Sequence, residues 1–89
     1  MFYVYVLKSA KDNKLYTGYT NDLRRRFSEH SEGKNISTRP RLPLEFVYYE
    51  AYKSQADAEN RESNLTKSAG ARTALKRRLV DGLRPGPFV

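Results

Sequence analysis

The stretch YTGYTNDLRRRFSEH, from Tyr16 to His30, decides the fold of this chain. Its first residues favour a strand, and the glycine after them predicts the turn that ends it. The residues beyond that turn predict an amphipathic helix over about 22–30, with Asn21 as its N-cap. Leu23, Phe27 and His30 recur at i, i+4 and i+7, which places them on one stripe of this helix. We therefore expect the stripe to face a core and to carry a histidine into the protein body.

Arg26 is the arginine of this run that we expect to turn inwards. It lies three residues after Leu23 and four before His30, so it shares their side of the helix. Arg24 and Arg25 point elsewhere. The pattern thus brings one arginine and the histidine together, below the tyrosine at the end of the strand.

Length and composition set bounds on what the protein can be. A chain of 89 residues makes one domain with a small core, and we expect a domain over 1–82 and a flexible tail rich in proline and glycine over 83–89. There is no cysteine, which excludes disulfides and thiolate metal sites. No apolar run approaches the ~20 residues of a membrane span. The start, MFYVYVLKS, is too strand-like for a signal peptide, so we expect a cytoplasmic location.

The charge balance points to a polyanionic partner. Seventeen Lys and Arg residues against ten Asp and Glu residues give a net charge of +7 and a pI near 9.9. In a small protein such a balance is typical of nucleic-acid binding, although many basic faces are only solvated surface. The loop over 34–43 contains two prolines and is expected to stay irregular, either as a solvated connection or as an arm that contacts phosphates. The basic residues that we single out for nucleic-acid binding are Lys34, Arg39, Arg41, Lys67 and Arg72.

Three segments favour strands. The run from Phe2 to Leu7 is apolar on both faces, which predicts a strand that is covered on both sides. The run from 15 to 19 forms a hairpin with it and places Tyr16 and Gly18 on one face. In the third strand, over 44–52, strict alternation places Phe46 and Tyr48 on the same face.

Two further helices are expected after the third strand. Ser54 caps the first of them, and Ala58, Glu62 and Leu65 form its inward stripe. A carboxylate on that stripe needs a partner, because burying an unpaired charge is costly. A salt bridge to Arg26 or another basic residue and a divalent cation both satisfy this need, and the pattern alone favours the salt bridge. The second helix is expected over about 71–80.

A small set of side chains on these elements can carry chemistry. Tyrosine and histidine transfer protons, arginine binds a phosphate through two hydrogen bonds, and glutamate holds Mg²⁺. The set is sufficient for the hydrolysis of a phosphodiester bond and consists of Tyr5, Tyr16, Arg26, His30 and Glu62.

In the order and spacing of these residues, the chain resembles the GIY-YIG endonucleases of the small stand-alone bacterial type. The triplet Tyr16-Thr17-Gly18 stands where that family has YIG, and Tyr3-Val4-Tyr5 stands where it has GIY. Arg26 falls ten residues after Tyr16, at the place of the family's catalytic arginine. The resemblance extends over residues 2 to about 80 and includes His30, the Arg61-Glu62 pair and the third strand. Two positions depart from the motif, since Tyr3 replaces a glycine and Thr17 an isoleucine.

The resemblance implies an α+β fold in which helices flank a three-stranded antiparallel sheet. It also implies one-metal hydrolysis of DNA, with Glu62 binding Mg²⁺ or Mn²⁺ and Arg26 neutralising charge on the phosphate. Tyr16 is implied as general base with Tyr5 orienting the water or Tyr16, although the sequence leaves open which tyrosine is the base. His30 is implied to assist proton transfer or to hold the phosphate.

Three hypotheses about function follow. The first is an endonuclease acting on DNA, with branched or damaged DNA in repair or recombination as candidate substrates. The second is a nucleic-acid-binding module that has the nuclease scaffold and little or no catalytic activity. The third is a basic structural or interaction protein.

Overall fold

The computed structural model describes residues 1–83, and these form a three-stranded sheet with helices on both of its faces. The strands are β1 (Phe2–Ser9), β2 (Leu15–Thr20) and β3 (Leu44–Tyr52), and the helices are α1 (Leu23–Ser31), α2 (Gln55–Lys67), α3 (Ala69–Arg78) and α4 (Val80–Leu83). The predicted α+β class is confirmed. Position 83, expected in the tail, ends α4, and the remainder of that expected tail lies outside the described residues. Within residues 1–83, no helix is long and apolar enough to cross a membrane.

The sheet is antiparallel in the order β2-β1-β3, so β1 lies in its centre. Four consecutive residues of β1, from Val4 to Leu7, are at most 1% exposed. This confirms the prediction of a strand that is covered on both sides. We call the side of Phe2, Val4 and Val6 the core face and the side of Tyr3, Tyr5 and Leu7 the tyrosine face.

The core face is covered by α2 and α3. Val4 and Val6 pack there against Ala58, Leu65 and Leu75, which are all buried. The helix that carries Ala58 and Leu65 begins as predicted, because the side chain of Ser54 caps it. The next helix begins earlier than predicted, since Ser68 caps it and Ala69 and Gly70 form its first turn.

The tyrosine face is covered by α1. Its N-cap is Asp22, whose carboxylate accepts a hydrogen bond from the backbone N–H of Arg25 at 3.0 Å. The prediction that Asn21 is the N-cap is therefore wrong, and the Asn21 side chain instead accepts a hydrogen bond from the Arg25 guanidinium. Both residues can cap a helix, and the one in extended conformation directly before Leu23 does so.

A register shift in β3 overturns the predicted alternation. Val6 pairs with Tyr48 but Leu7 pairs with Phe46, so one extra residue of β3 lies between these pairs. Phe46 consequently lies on the tyrosine face, where its ring stacks on Phe27 at a centroid distance of 4.7 Å. Tyr48 packs against the apolar cluster of the core face.

The loop between α1 and β3 is more ordered than predicted. Gly33 has a φ of +75°, the left-handed conformation expected after the end of α1. Residues Arg39–Arg41 then form one turn of 3-10 helix. The prediction of an irregular segment is wrong here, because a proline near the start of such a turn occupies a position whose N–H has no partner in the helix.

A half-buried ion pair ties α2 to β3. The Arg61 guanidinium donates to both carboxylate oxygens of Glu50, with its Nε 2.9 Å from Oε1 and its Nη2 3.0 Å from Oε2. The hydroxyls of Tyr48 and Tyr52 donate to the same carboxylate. Burial of Glu50 opposes its ionisation, but these hydrogen bonds prevail and lower its pKa. Burial and the Glu50 carboxylate also raise the pKa of Tyr52 to about 12.

Candidate active site

The buried hydroxyl of Tyr5 is the centre of the polar contacts on the tyrosine face. Tyr5 is 1% exposed, and its hydroxyl oxygen accepts a hydrogen bond from Nε of Arg26 at 3.2 Å. The same oxygen lies 2.9 Å from Nε2 of His30. Burial raises the pKa of the Tyr5 phenol, and the hydrogen bond from Arg26 only partly opposes this shift. Tyr5 is therefore a neutral hydroxyl near pH 7.

His30 continues this line of hydrogen bonds to the loop. Its Nδ1 lies 2.7 Å from the side-chain oxygen of Thr38, and both residues are fully buried. Because Arg26 donates to the Tyr5 oxygen, the hydrogen of that hydroxyl needs an acceptor, and Nε2 of His30 is within reach. We infer that His30 carries its proton on Nδ1 and donates it to Thr38. Burial, and then the charge of Arg26, lower the pKa of His30, so the neutral imidazole of this relay is the favoured form.

The three arginines of α1 separate as predicted. Arg26 is half-buried, whereas Arg24 and Arg25 are exposed. Nη1 of Arg26 also donates to Glu29 at 3.0 Å. Since Nε is bound to Tyr5, the outer end of the guanidinium is the part that can meet a ligand.

Tyr16 and Gly18 of β2 lie on one face of the sheet, as predicted, and Tyr5 of the neighbouring β1 lies on the same face. The Tyr16 ring packs edge-on against His30, with centroids 5.6 Å apart. Among residues 1–83 the Tyr16 hydroxyl has no hydrogen-bonding partner, which distinguishes it from Tyr5. Gly18 pairs with Tyr5, and a Cβ at this position would lie 2.3 Å from both Cζ and the hydroxyl oxygen of Tyr5. The glycine therefore makes room for the buried phenol.

Glu62 is half-buried on α2, on the stripe of Ala58 and Leu65, as predicted. The predicted salt bridge is absent from the described part of the chain: Oε2 of Glu62 accepts a hydrogen bond from the Thr66 hydroxyl at 2.9 Å, and Arg26 pairs with Glu29 instead. Thr66 in turn lines a cavity of about 230 Å³ together with Tyr16. Glu62 therefore neighbours a residue of this cavity without lining the cavity itself.

The basic residues singled out for nucleic-acid binding differ in exposure. Lys34, Arg39 and Lys67 are exposed, and Arg41 is half-buried. Arg72, which was also singled out for nucleic-acid binding, is half-buried. It donates to the carbonyl oxygens of Leu65 and Thr66 at the end of α2 and lines the same cavity as Tyr16.

Two residues of the site escaped the sequence reasoning. Glu29 could have been found from its i, i+3 spacing to Arg26, which suits an ion pair on a helix. Thr38 lies eight residues beyond His30 in the loop. Nothing in its local pattern signals that its hydroxyl is buried, because the contact depends on how the loop folds back over α1.

Comparisons with known proteins give a family match over most of the chain and a solved structure of similar fold. Residues 1–78 match the model of the GIY-YIG catalytic domain. A UPF0213 protein of Clostridium perfringens is 43% identical over 68 residues, which are 75% of this chain and 72% of that protein. A UPF0213 protein of Streptococcus pyogenes is 47% identical over 62 residues, 68% of this chain and 66% of that protein. The solution NMR structure of the UPF0213 protein from Bacillus halodurans is similar in fold, with a TM-score of 0.54 and 37% identity. That match covers 98% of this chain and 89% of the other.

Gly18→Ala should destabilise the protein by about 1–3 kcal/mol, because the new methyl group overlaps a phenol that two hydrogen bonds hold in place. Gly70→Ala is the matched control. It lies in the first turn of α3, where a Cβ meets nothing closer than 3.7 Å, and alanine favours a helix by up to about 1 kcal/mol. Urea denaturation of both variants measures the difference. Equal stability of the two variants would contradict the close contact at Gly18.

Stability should fall as the pH drops below about 6.5, the ordinary pKa of histidine. The folded state lowers the pKa of His30, so in this window the unfolded chain takes up a proton that the folded chain does not. The chain has one histidine, so its NMR titration reads this group directly. We expect it to titrate below the value of the urea-unfolded chain, and His30→Gln should flatten the dependence of the urea midpoint between pH 7.5 and 5. An imidazole that titrates at or above its unfolded value would contradict the assignment.

Proposed function

This chain belongs to the GIY-YIG family of nucleases, and we propose that it is a metal-dependent endonuclease that hydrolyses phosphodiester bonds in DNA. The observation that carries the proposal is the line of hydrogen bonds from Arg26 through Tyr5 and His30 to Thr38. It holds the Arg26 cation on Tyr5, and the ring of Tyr16, whose hydroxyl has no partner within residues 1–83, packs against His30 of the same line. Cleavage of a phosphodiester needs both a fixed positive charge and an available proton acceptor.

We assign different roles to the two tyrosines. The raised pKa of Tyr5 disfavours its phenolate, and its hydroxyl is already bound on both sides, so it serves to hold Arg26 and His30. Tyr16 is the proposed general base: in its phenolate form it accepts the proton of the attacking water and becomes the phenol. Its ring packs edge-on against His30, which holds the ring in place.

Arg26 is proposed to bind the phosphate through the outer end of its guanidinium, where charge builds up as the water attacks. His30 is proposed to act through Tyr5 rather than on the phosphate, since it is buried and both of its nitrogens are in use. This favours a positioning role over the two direct roles that the resemblance implied.

Glu62 is the proposed ligand of Mg²⁺ or Mn²⁺. Residues 1–83 contain no group of three or more His, Cys, Asp and Glu side chains able to hold a metal ion. A single half-buried carboxylate, whose partner within the described chain is the Thr66 hydroxyl, nevertheless fits the way Mg²⁺ binds, through one or two carboxylates with water and substrate phosphate as the remaining ligands. When bound, such an ion polarises the phosphate and stabilises the leaving oxygen.

DNA is the proposed substrate, and the net charge of +7 supports it. Of the basic candidates, Lys34 and Arg39 are exposed on the loop that Thr38 anchors to His30, so they suit phosphate contacts next to Arg26. A role on branched or damaged DNA in the cytoplasm is part of the same proposal. Cleavage assays with Mg²⁺ or Mn²⁺ over a panel of DNA structures test this proposal. If the protein binds the DNA of the panel but cleaves none of it, the alternative of a nucleic-acid-binding module is favoured.

Tyr16→Phe should lower the cleavage rate by about 10²–10⁴, the usual effect of losing a general base. It should leave the fold intact, because the hydroxyl that it removes makes no hydrogen bond within residues 1–83. Tyr49→Phe is the matched control, a tyrosine of β3 that is 58% exposed. Single-turnover cleavage and thermal melts measure both. A Tyr16→Phe variant that cleaves like Tyr49→Phe would remove Tyr16 from the mechanism.

Glu62→Gln should eliminate cleavage in Mg²⁺ or Mn²⁺ and leave the melting temperature nearly unchanged. The amide oxygen of glutamine can still accept the Thr66 hydrogen bond, and no ion pair within the described residues is broken. Metal-free DNA binding should stay the same or tighten, because a negative charge near the phosphate is lost. Glu59→Gln, an exposed carboxylate on the same helix, is the control. A Glu62→Gln variant that melts several degrees lower and cleaves like the parent would make Glu62 structural.

A further inference from the structure

A cleft next to Arg26 has no role in the proposed chemistry. It has a volume of about 340 Å³ and is lined by Arg26, Glu29, Lys34, Asn35 and Ile36. Ligand sites commonly occupy ~300–1,000 Å³, so this cleft suits a ligand of the size of one nucleotide. Because Arg26 belongs to both places, whatever occupies the cleft lies next to the phosphate that Arg26 binds.

Ile36 gives this cleft an unusual wall. Its side chain is 79% exposed, more than that of any other large hydrophobic residue in the described chain. The exposure does not come from a loose loop. The Asn35 side chain accepts a hydrogen bond from the backbone of Ser37 at 3.0 Å, and Thr38 is buried against His30. Ile36 is thus held out into solvent between two anchored residues.

The charges of the cleft suit a phosphate on its Lys34 side. Glu29 is bound to Nη1 of Arg26, so its carboxylate is already paired with a cation. Lys34 is 67% exposed and pairs with Glu32 at 3.1 Å, a surface ion pair of the kind that contributes little and exchanges readily for another anion. Lys34 therefore remains as the positive charge available to a second phosphate.

We propose that this cleft binds one unpaired nucleotide beside the cleaved phosphate, with its base against Ile36 and its own phosphate on Lys34. The inference rests on the proposed function, since the phosphate at Arg26 sets the position of the neighbouring nucleotide. Proteins that take a base out of the stack hold it against aromatic or apolar side chains. A fully paired duplex offers no such base, so the protein should favour DNA with an unpaired nucleotide.

Metal-free binding of two duplexes tests the proposal. One duplex carries a single bulged 2-aminopurine, and the other has the same sequence fully paired. Ile36→Ser should weaken binding of the bulged duplex by about three- to tenfold, as expected for partial burial of one aliphatic side chain, and leave the paired duplex unchanged. Val80→Ser, which alters a 60% exposed residue of α4 outside the cleft, should affect neither. Lys34→Gln should weaken both duplexes alike and reduce the salt dependence by about one phosphate contact.

Three results would overturn the proposal. One is equal binding of the bulged duplex by Ile36→Ser and the parent. Another is 2-aminopurine fluorescence that does not change on binding. The third is a change of oligomeric state in Ile36→Ser without any change in DNA binding, which would assign the surface to a second copy of the chain. The binding assay contains no metal, so its result does not depend on cleavage. If the parent protein binds the bulged duplex in this way but cleaves no DNA in the assays with Mg²⁺ or Mn²⁺, the proposed nuclease activity is refuted and the nucleotide site is retained.

Discussion

The buried hydroxyl of Tyr5 is the group on which the geometry of this protein's site depends. A buried hydroxyl without partners is costly, so the fold must bring a donor and an acceptor to it. The donor and acceptor are Arg26 and His30, both from α1, while Gly18 of β2 leaves the space for the ring. Thr38 then fixes His30 from the loop. One hydroxyl in the central strand thereby orients a helix, a loop and the neighbouring strand.

The two faces of the sheet are held by different forces. On the core face, Val4 and Val6 meet buried aliphatic side chains of α2 and α3, and burial of apolar area supplies the stability. On the tyrosine face, His30 is the one buried residue of α1, and Phe27 stacks on Phe46 beside it. The helix that carries Arg26 is therefore docked in part by the same hydrogen bonds that position Arg26. Weakening those hydrogen bonds should displace Arg26 and His30 while the apolar core on the other face stays packed.

The sequence predicted the parts of this arrangement that follow from local periodicity. The inward turn of Arg26, the shared face of Tyr16 and Gly18 and the cap at Ser54 depend on spacing within one element, and the structure confirms them. The failures depend on the alignment of one element with another. The extra residue in β3 moves Phe46 and Tyr48 to opposite faces, and no pattern within β3 marks it. The partner of Arg61 is Glu50 for the same reason, since only the packing of α2 on β3 brings them together.

The half-buried carboxylates of the described chain differ in whether an arginine pairs with them. There are three within residues 1–83, Glu29, Glu50 and Glu62. Glu29 has Arg26 and Glu50 has Arg61, whereas Glu62 has the neutral hydroxyl of Thr66. In a chain with seven more positive than negative side chains, cations are abundant, so the isolation of Glu62 is a property of its position on α2. Within residues 1–83, Glu62 is therefore the one half-buried carboxylate whose charge no cation matches, and this supports the metal site proposed for it.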